Sequence, residues 1–255
     1  IIQVDMDGAI TGYRFEKTVI RTKVRGIYSE VNEIFKGTAT QDLLDKYKPV
    51  MKGLMTAREM ASITKERSRR NGTMELESNE PKFILNEDGI CIDVQPRQTG
   101  ESEQMIEQLM VTANQAAAKL AEKEHLPFVY RVHENPKSLK IETLIELVSS
   151  LGLDFSGIKK ENPSTAEFAA ILDQAVGTPA QKIVSYQILR TMEKARYATD
   201  PLGHFGLALA DYCHYTSPIR RYPDTAIHRI LTAFVNKKGR NYINEHYATY
   251  AQDSA

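Results

Sequence analysis

The chain lacks several features that would assign it at once. It has two cysteines, Cys91 and Cys213, and no C-x-x-C spacing. A disulfide framework and a thiolate zinc site are therefore excluded, and both residues read as free thiols of a reducing, cytoplasmic compartment. No stretch approaches the roughly 20 apolar residues of a membrane-spanning helix, so no membrane partner is expected. No net charge remains, because 33 Lys and Arg balance 33 Asp and Glu. That rules out a basic tail-type nucleic-acid binder and an acidic disordered chain, but not a local basic groove. Six histidines are present, none in an H-x-x-x-H or H-E-x-x-H pattern. G-x-S-x-G, Walker and G-x-G-x-x-G loops are missing too, which removes the usual hydrolase-elbow and nucleotide-loop readings.

What is present is an ordinary globular composition, 42% hydrophobic and 26% charged over 255 residues. Two β-like runs, Ile1–Val4 and Ile10–Arg21, flank Asp5-Met6-Asp7-Gly8, a hairpin signal. Asp5 and Asp7 are read as turn chemistry, with metal ligation as the alternative. Tyr28–Phe35 predicts a short helix stopped by Gly37, and Asp42–Arg69 one long helix ending in the basic run Lys65–Arg70. Phe83–Leu85 and Ile90–Val94 predict a second hairpin. Ser102–Glu124 predicts the clearest helix, with Ser102 as its N-cap and an apolar stripe from Met105 to Leu120. Phe128–Val132 predicts a strand. Helices are expected over Leu139–Leu151, Thr165–Val176, Pro179–Ala195, Pro218–Asn236 and Asn241–Tyr250, and a β-like segment over Gly203–Leu209. The fold class is α/β with mixed α+β character: β-hairpins or a mixed sheet flanked by helices, as one domain over residues 1–255.

The densest chemistry lies between Gly203 and Arg229. Thr216-Ser217-Pro218 is a helix-entry signal, and Pro223 leaves open whether the helix starts there or at Pro218. Either way Arg220 and Arg221 fall near a first helical turn. Cations there oppose the partial positive charge of the helix end, at a cost of a few tenths to about 1 kcal/mol each. A bound anion offsets that cost, since arginine forks and free backbone N–H groups both suit phosphate. The competing reading pairs the arginines with Asp224. On the helix after Ser102, Glu107 and Asn114 share a side seven residues apart. They form either a half-buried recognition pair or an ordinary helix boundary.

These residues resemble the ribonuclease II/ribonuclease R (RNB) family, nearer its ribonuclease R branch. The resemblance rests on His204-Phe-Gly-Leu-Ala-Leu209 and on Tyr212-Cys-His-Tyr-Thr-Ser-Pro-Ile-Arg-Arg-Tyr-Pro-Asp224 with His228-Arg229. Collinear support comes from Val19–Val31, Ser102–Asn114, Tyr130–Glu134, Gln181–Ser185 and Ala195–Tyr197. It implies a processive 3′→5′ exoribonuclease that hydrolyses single-stranded RNA to 5′-mononucleotides with Mg²⁺. By motif position it implies Arg220 as the catalytic arginine on the scissile or terminal phosphate. Tyr28 and Glu107 would sense the ribose near the 3′ end, with Arg221, Tyr222 and His204 as supporting RNA-binding positions.

The departures carry expectations of their own. The family's aspartate cluster, with an adjacent Asp-Asp-Ala, has no counterpart here, so no metal ligand is assigned in this chain. Near the position where the family stacks the terminal bases on an aromatic stands Leu76. The family's later glutamate and its cold-shock and S1 modules also have no counterpart. The chain is expected to be a partial RNB domain, inactive when alone. The alternative is a module that holds single-stranded RNA without cutting it.

Overall fold

The computed structural model describes residues 1–74, 81–96 and 99–255. Leu76 lies outside them. The elements run β1 (Ile2–Val4), β2 (Ile10–Tyr13), α1 (Tyr28–Lys36), α2 (Gln41–Tyr47), α3 (Met51–Arg70), β3 (Pro81–Leu85), β4 (Cys91–Pro96), α4 (Glu101–Glu124) and β5 (Tyr130–Val132). Then come α5 (Ser138–Ser150), α6 (Thr165–Ala175), α7 (Gln181–Thr191), β6 (Arg196–Ala198), a 3₁₀ turn (Phe205–Leu207), α8 (Tyr222–Val235) and α9 (Arg240–Ser254). The fold is mixed α and β, as expected. Among the described residues the strands form three separate antiparallel pairs: β1–β2, β3–β4 and β5–β6.

Several boundaries differ from the sequence reading, each for a local reason. β2 ends at Tyr13; Phe15 beyond it packs its ring edge-on against Tyr215 at 5.7 Å. The long helix expected over Asp42–Arg69 is two helices broken at Lys48-Pro49-Val50. Proline lacks the N–H that a helix interior needs, yet suits the approach to a new helix. Thr40 caps α2, its Oγ1 accepting the Leu43 N–H at 3.4 Å. Thr40→Ala is expected to lower stability by about 0.5–1 kcal/mol, read as the urea-unfolding midpoint at constant slope.

The cap of α4 is Gly100, not Ser102. The Glu103 carboxylate reaches back to the Gly100 N–H at 3.1 Å. Ser102 sits inside the helix, buried, its hydroxyl donating to the Tyr28 carbonyl at 3.1 Å. Gly203–Leu209 is not a strand. His204 caps a 3₁₀ turn that ends with Ala208 in the left-handed region, φ 52°.

Three apolar clusters hold these elements. One joins the C-terminal half of α4 to β5, α8 and α9 through Ala117, Leu120, Phe128, Val132, Ile227 and Ile230. A second unites α5, α6 and α7 around Ile141, Leu144, Phe168 and Ile188. The third packs α1, α2 and α3 on the N-terminal half of α4 through Ile34, Phe35, Tyr47 and Met105. α4 thus takes part in two of the three, and everything near the candidate site is referred to it. The small residues Ala116, Ala117, Ala118 and Ala121 are fully buried and let the neighbouring elements approach this helix closely.

Candidate functional site

α4 fixes the segment that carries the arginines. Asn114, 3% exposed on α4, accepts the Tyr215 N–H at 2.9 Å and the Thr216 N–H at 3.2 Å through Oδ1. Its Nδ2 donates to the Tyr212 hydroxyl at 3.1 Å. Its own carbonyl accepts the thiol of the fully buried Cys213 at 3.1 Å. Burial pushes the Cys213 thiol well above its ordinary range, which suits a packing thiol rather than a nucleophile.

From Ser217 the chain makes a tight turn. The Ser217 carbonyl accepts the N–H groups of Arg220 at 3.2 Å and Arg221 at 3.1 Å. α8 then starts at Tyr222, with Arg221 as N-cap and a proline in the first turn. Of the two possible helix starts, the later one is adopted. Asp224, fully buried in that first turn, accepts through Oδ2 from Ser217 N–H at 2.8 Å and from Arg221 Nε and Nη2 at 3.1 and 2.9 Å. The pairing with Asp224 therefore holds for Arg221 alone. Arg220 is exposed, and its guanidinium has no hydrogen bond or ion pair among the described residues. One cation at the positive end of α8 is neutralised internally; the other has no counter-charge among the described residues.

Behind this turn lies a chain of rings meeting edge to face. His133 and His204 are 5.1 Å apart, His204 and Tyr212 5.2 Å, Tyr212 and His214 5.8 Å. Tyr197 follows at 5.7 Å, its hydroxyl 2.9 Å from His214 Nδ1. The Arg131 guanidinium lies over the Tyr197 ring at 4.9 Å. Burial, with the positive charge of neighbours such as Arg131, lowers the His204 pKa to about 3. Burial together with Arg221 and Arg131 lowers that of His214 to about 4. Burial also lowers the pKa of His133. The imidazoles are neutral at pH 7, so His204 presents no cation to a phosphate; it shapes the turn, accepting the Leu207 N–H at 3.3 Å. Gly206 beside it donates its N–H to His133 Nδ1 at 3.1 Å, and a Cβ there would sit 3.0 Å from that nitrogen, a tight fit.

Tyr28 opens α1 and is 46% exposed, its backbone tied to Ser102 of α4. Glu107, exposed, stands five residues further along α4, or about 7.5 Å of helix rise. Its charge is felt by Tyr212, which also feels Arg221. One helix therefore carries Glu107 between the Tyr28 end and the arginine turn. Glu107 and Asn114 do not form a half-buried pair: Glu107 faces solvent while Asn114 is buried in backbone pinning. Tyr222 stands apart, exposed and edge-on to Tyr250 of α9 at 5.8 Å. The basic run is tied into structure, with Lys65 on Gln104 and Arg70 on the Asp7 carbonyl.

Tyr212, His214 and the pinning by Asn114 escaped the sequence reading. The available signal was a lone amide amid small buried residues. Asp5 has the turn role expected of it, its Oδ1 accepting the Asp7 and Ala9 N–H groups. Among the described residues no three His, Cys, Asp or Glu side chains converge; Asp224, the buried carboxylate near the arginines, engages Ser217 and Arg221 through Oδ2 and leaves Oδ1 without a hydrogen-bond partner. These residues do not fit a divalent-metal site.

The RNB domain family matches residues 1–237. The chain belongs to the RNB domain family. This RNB chain is 35% identical over 239 residues to ribonuclease R of Thermotoga maritima, covering 93% of the chain and 33% of that protein. It is 33% identical over 235 residues to ribonuclease R of Escherichia coli, covering 92% and 28%. The RNB chain thus spans about a third of the length of these relatives. Among solved structures it matches RNase R of Mycoplasma genitalium with a TM-score of 0.89 at 28% identity, covering 98% of this chain and 39% of that one. That protein is also solved with ribose-methylated single-stranded RNA and with double-stranded RNA. The yeast pseudonuclease Ssd1 shares the fold, with a TM-score of 0.58 at 18% identity.

Proposed function

We propose that this chain is part of the catalytic region of a cytoplasmic 3′→5′ exoribonuclease that releases 5′-mononucleotides from single-stranded RNA. The observation that carries the reading is Arg220: exposed, without an internal acid, at the positive end of α8, beside an arginine that does have one. In this reading Arg220 holds the scissile or terminal phosphate, while Arg221, locked by Asp224, fixes the turn that presents it. Tyr28 and Glu107 take the ribose near the 3′ end, the carboxylate accepting a 2′-hydroxyl hydrogen bond. Exposed Tyr222 offers a stacking face at the edge of the path, and His204 supports the turn from below. The RNA-bound structures of the Mycoplasma genitalium protein support RNA as the ligand class.

Hydrolysis in such an enzyme draws on a divalent metal, here Mg²⁺, which supplies an activated water and charge neutralisation when bound. The described residues hold no ligand set for it, and every role above belongs to the chain's own groups. That same observation favours a second reading for the 255-residue chain by itself: it retains single-stranded RNA without cleaving it.

The test is fluorescence anisotropy of a short single-stranded oligoribonucleotide against its DNA counterpart. Tighter RNA binding is expected. Glu107→Ala is expected to reduce the RNA-over-DNA ratio by about tenfold, the value of one hydrogen bond to a charged acceptor. Equal affinity of the unaltered chain for RNA and DNA would overturn the ribose-sensing assignment.

A further inference from the structure

We propose that Asn114 is a positioning residue that sets Arg220 relative to the ribose-reading face of α4; the inference rests on the function proposed above. Among the described residues, Asn114 is the one α4 residue whose side chain hydrogen-bonds to residues 212–216. Oδ1 takes two successive N–H groups, Tyr215 and Thr216. Nδ2 donates to the Tyr212 hydroxyl, and the backbone carbonyl accepts the Cys213 thiol. Both acceptor and donor capacity of the amide are thus used on one segment. Arg220 lies four residues beyond Thr216, across a turn that α8 also holds, through Ser217 on Asp224, the Thr225 hydroxyl on the Pro218 carbonyl, and His228 against the Tyr215 carbonyl.

The turn is therefore held from two helices, with different consequences. Asp224 belongs to α8 and moves with Arg220, so it fixes the shape of the turn. Asn114 belongs to α4, two helical turns from Glu107, so it fixes where the turn stands relative to that carboxylate. Without it the fork keeps its shape but loses its register with the ribose end. A phosphate and a ribose on one nucleotide must be met together, so this register decides affinity.

A binding study on the 255-residue chain separates this role from simple stability. The variants are Arg220→Ala, Asn114→Leu, Asn114→Asp and the Arg220→Ala/Asn114→Leu double. Leucine keeps the volume and removes all the side-chain bonds; aspartate keeps both accepted N–H bonds. Asn114→Leu is expected to weaken single-stranded RNA binding about tenfold. It is also expected to flatten the plot of log K against log salt by about 0.7, the loss of one phosphate contact. In the Arg220→Ala background the same change is expected to cost less than about twofold. Asn114→Asp is expected to bind within about threefold of the unaltered chain.

A purely structural role would leave the salt slope intact and would act equally with or without Arg220; either result overturns the inference. Should the leucine variant fail to fold, a folded Asn114→Asp variant that loses RNA affinity overturns it as well. Failure of the unaltered chain to bind RNA overturns the functional reading and this inference with it. Loss of binding in Arg220→Ala alone, with Asn114→Leu unaffected, removes only the inference.

Discussion

Replacing Arg220 by alanine is expected to weaken single-stranded RNA binding by about ten- to a hundredfold, with the fold unchanged. The magnitude is that of a charge-assisted fork on a phosphate, about 1.5–3 kcal/mol. The fold is spared because the guanidinium makes no hydrogen bond or ion pair among the described residues. Removing it even relieves an unfavourable cation at the positive end of α8. Arg220→Lys keeps the charge but not the planar fork, and is expected to recover only part of the affinity. Circular dichroism melts should superimpose for all three proteins. Arg221→Ala provides the contrast. It leaves the buried Asp224 carboxylate without its cation, so it is expected to lower the melting temperature and affinity together. An Arg220→Ala variant that binds RNA as before would place the anion site elsewhere.

The second large effect is acid lability, and its sign follows from the histidines. Burial holds His204 at about 3 and His214 at about 4, below the ordinary 6.5. The unfolded chain therefore binds protons that the folded chain refuses. Stability is complete above pH 6.5 and falls as pH drops from there toward 4 for His214 and 3 for His204. Each histidine contributes a slope of up to about 1.4 kcal/mol per pH unit in that window. Allowing for their partial exposure, the pair is expected to cost about 2–4 kcal/mol between pH 7.5 and pH 5. His133 is shifted in the same direction and adds to the loss. Urea midpoints at successive pH values measure this. His214→Gln should flatten the curve by about one proton between pH 6.5 and 5; an unchanged slope would mean that His214 is protonated in the folded protein.

How much of this was legible in the sequence depended on whether the deciding interaction was local. The stop of α1 at Gly37, with φ 72°, follows from glycine's freedom in the left-handed region. The break between α2 and α3 was also written locally, in Pro49, but the apolar positions on either side continue so smoothly that periodicity concealed it. Gly203–Leu209 looks β-like by composition. It becomes a 3₁₀ turn because His133, about seventy residues earlier, accepts the Gly206 N–H. No window around residue 206 contains that information. The arginine segment could be read as an anion site or as pairing with Asp224, but the division between the two arginines could not. Asp224 lies three residues from Arg221 and four from Arg220, and only the late helix start decides which it meets. Asn114 looked like a partner for Glu107 because both occupy one helical side. Burial against residues about a hundred positions later gave it a different task.

That separation governs the order in which the molecule can be assembled. The bonds from Asn114 to Tyr212, Tyr215 and Thr216 close loops of roughly a hundred residues, and closing such loops carries an entropic cost that nearby contacts do not. As synthesis proceeds from the N-terminus, α1 through α4 emerge with Tyr28 and Glu107 while α8 is still unmade. In the proposed reading, the half of the site that reads the sugar is therefore made before the half that holds the phosphate, and the two meet only when the last quarter of the chain docks onto α4. Until that late step a nascent chain would carry Tyr28 and Glu107 without Arg220, the group proposed to hold the phosphate.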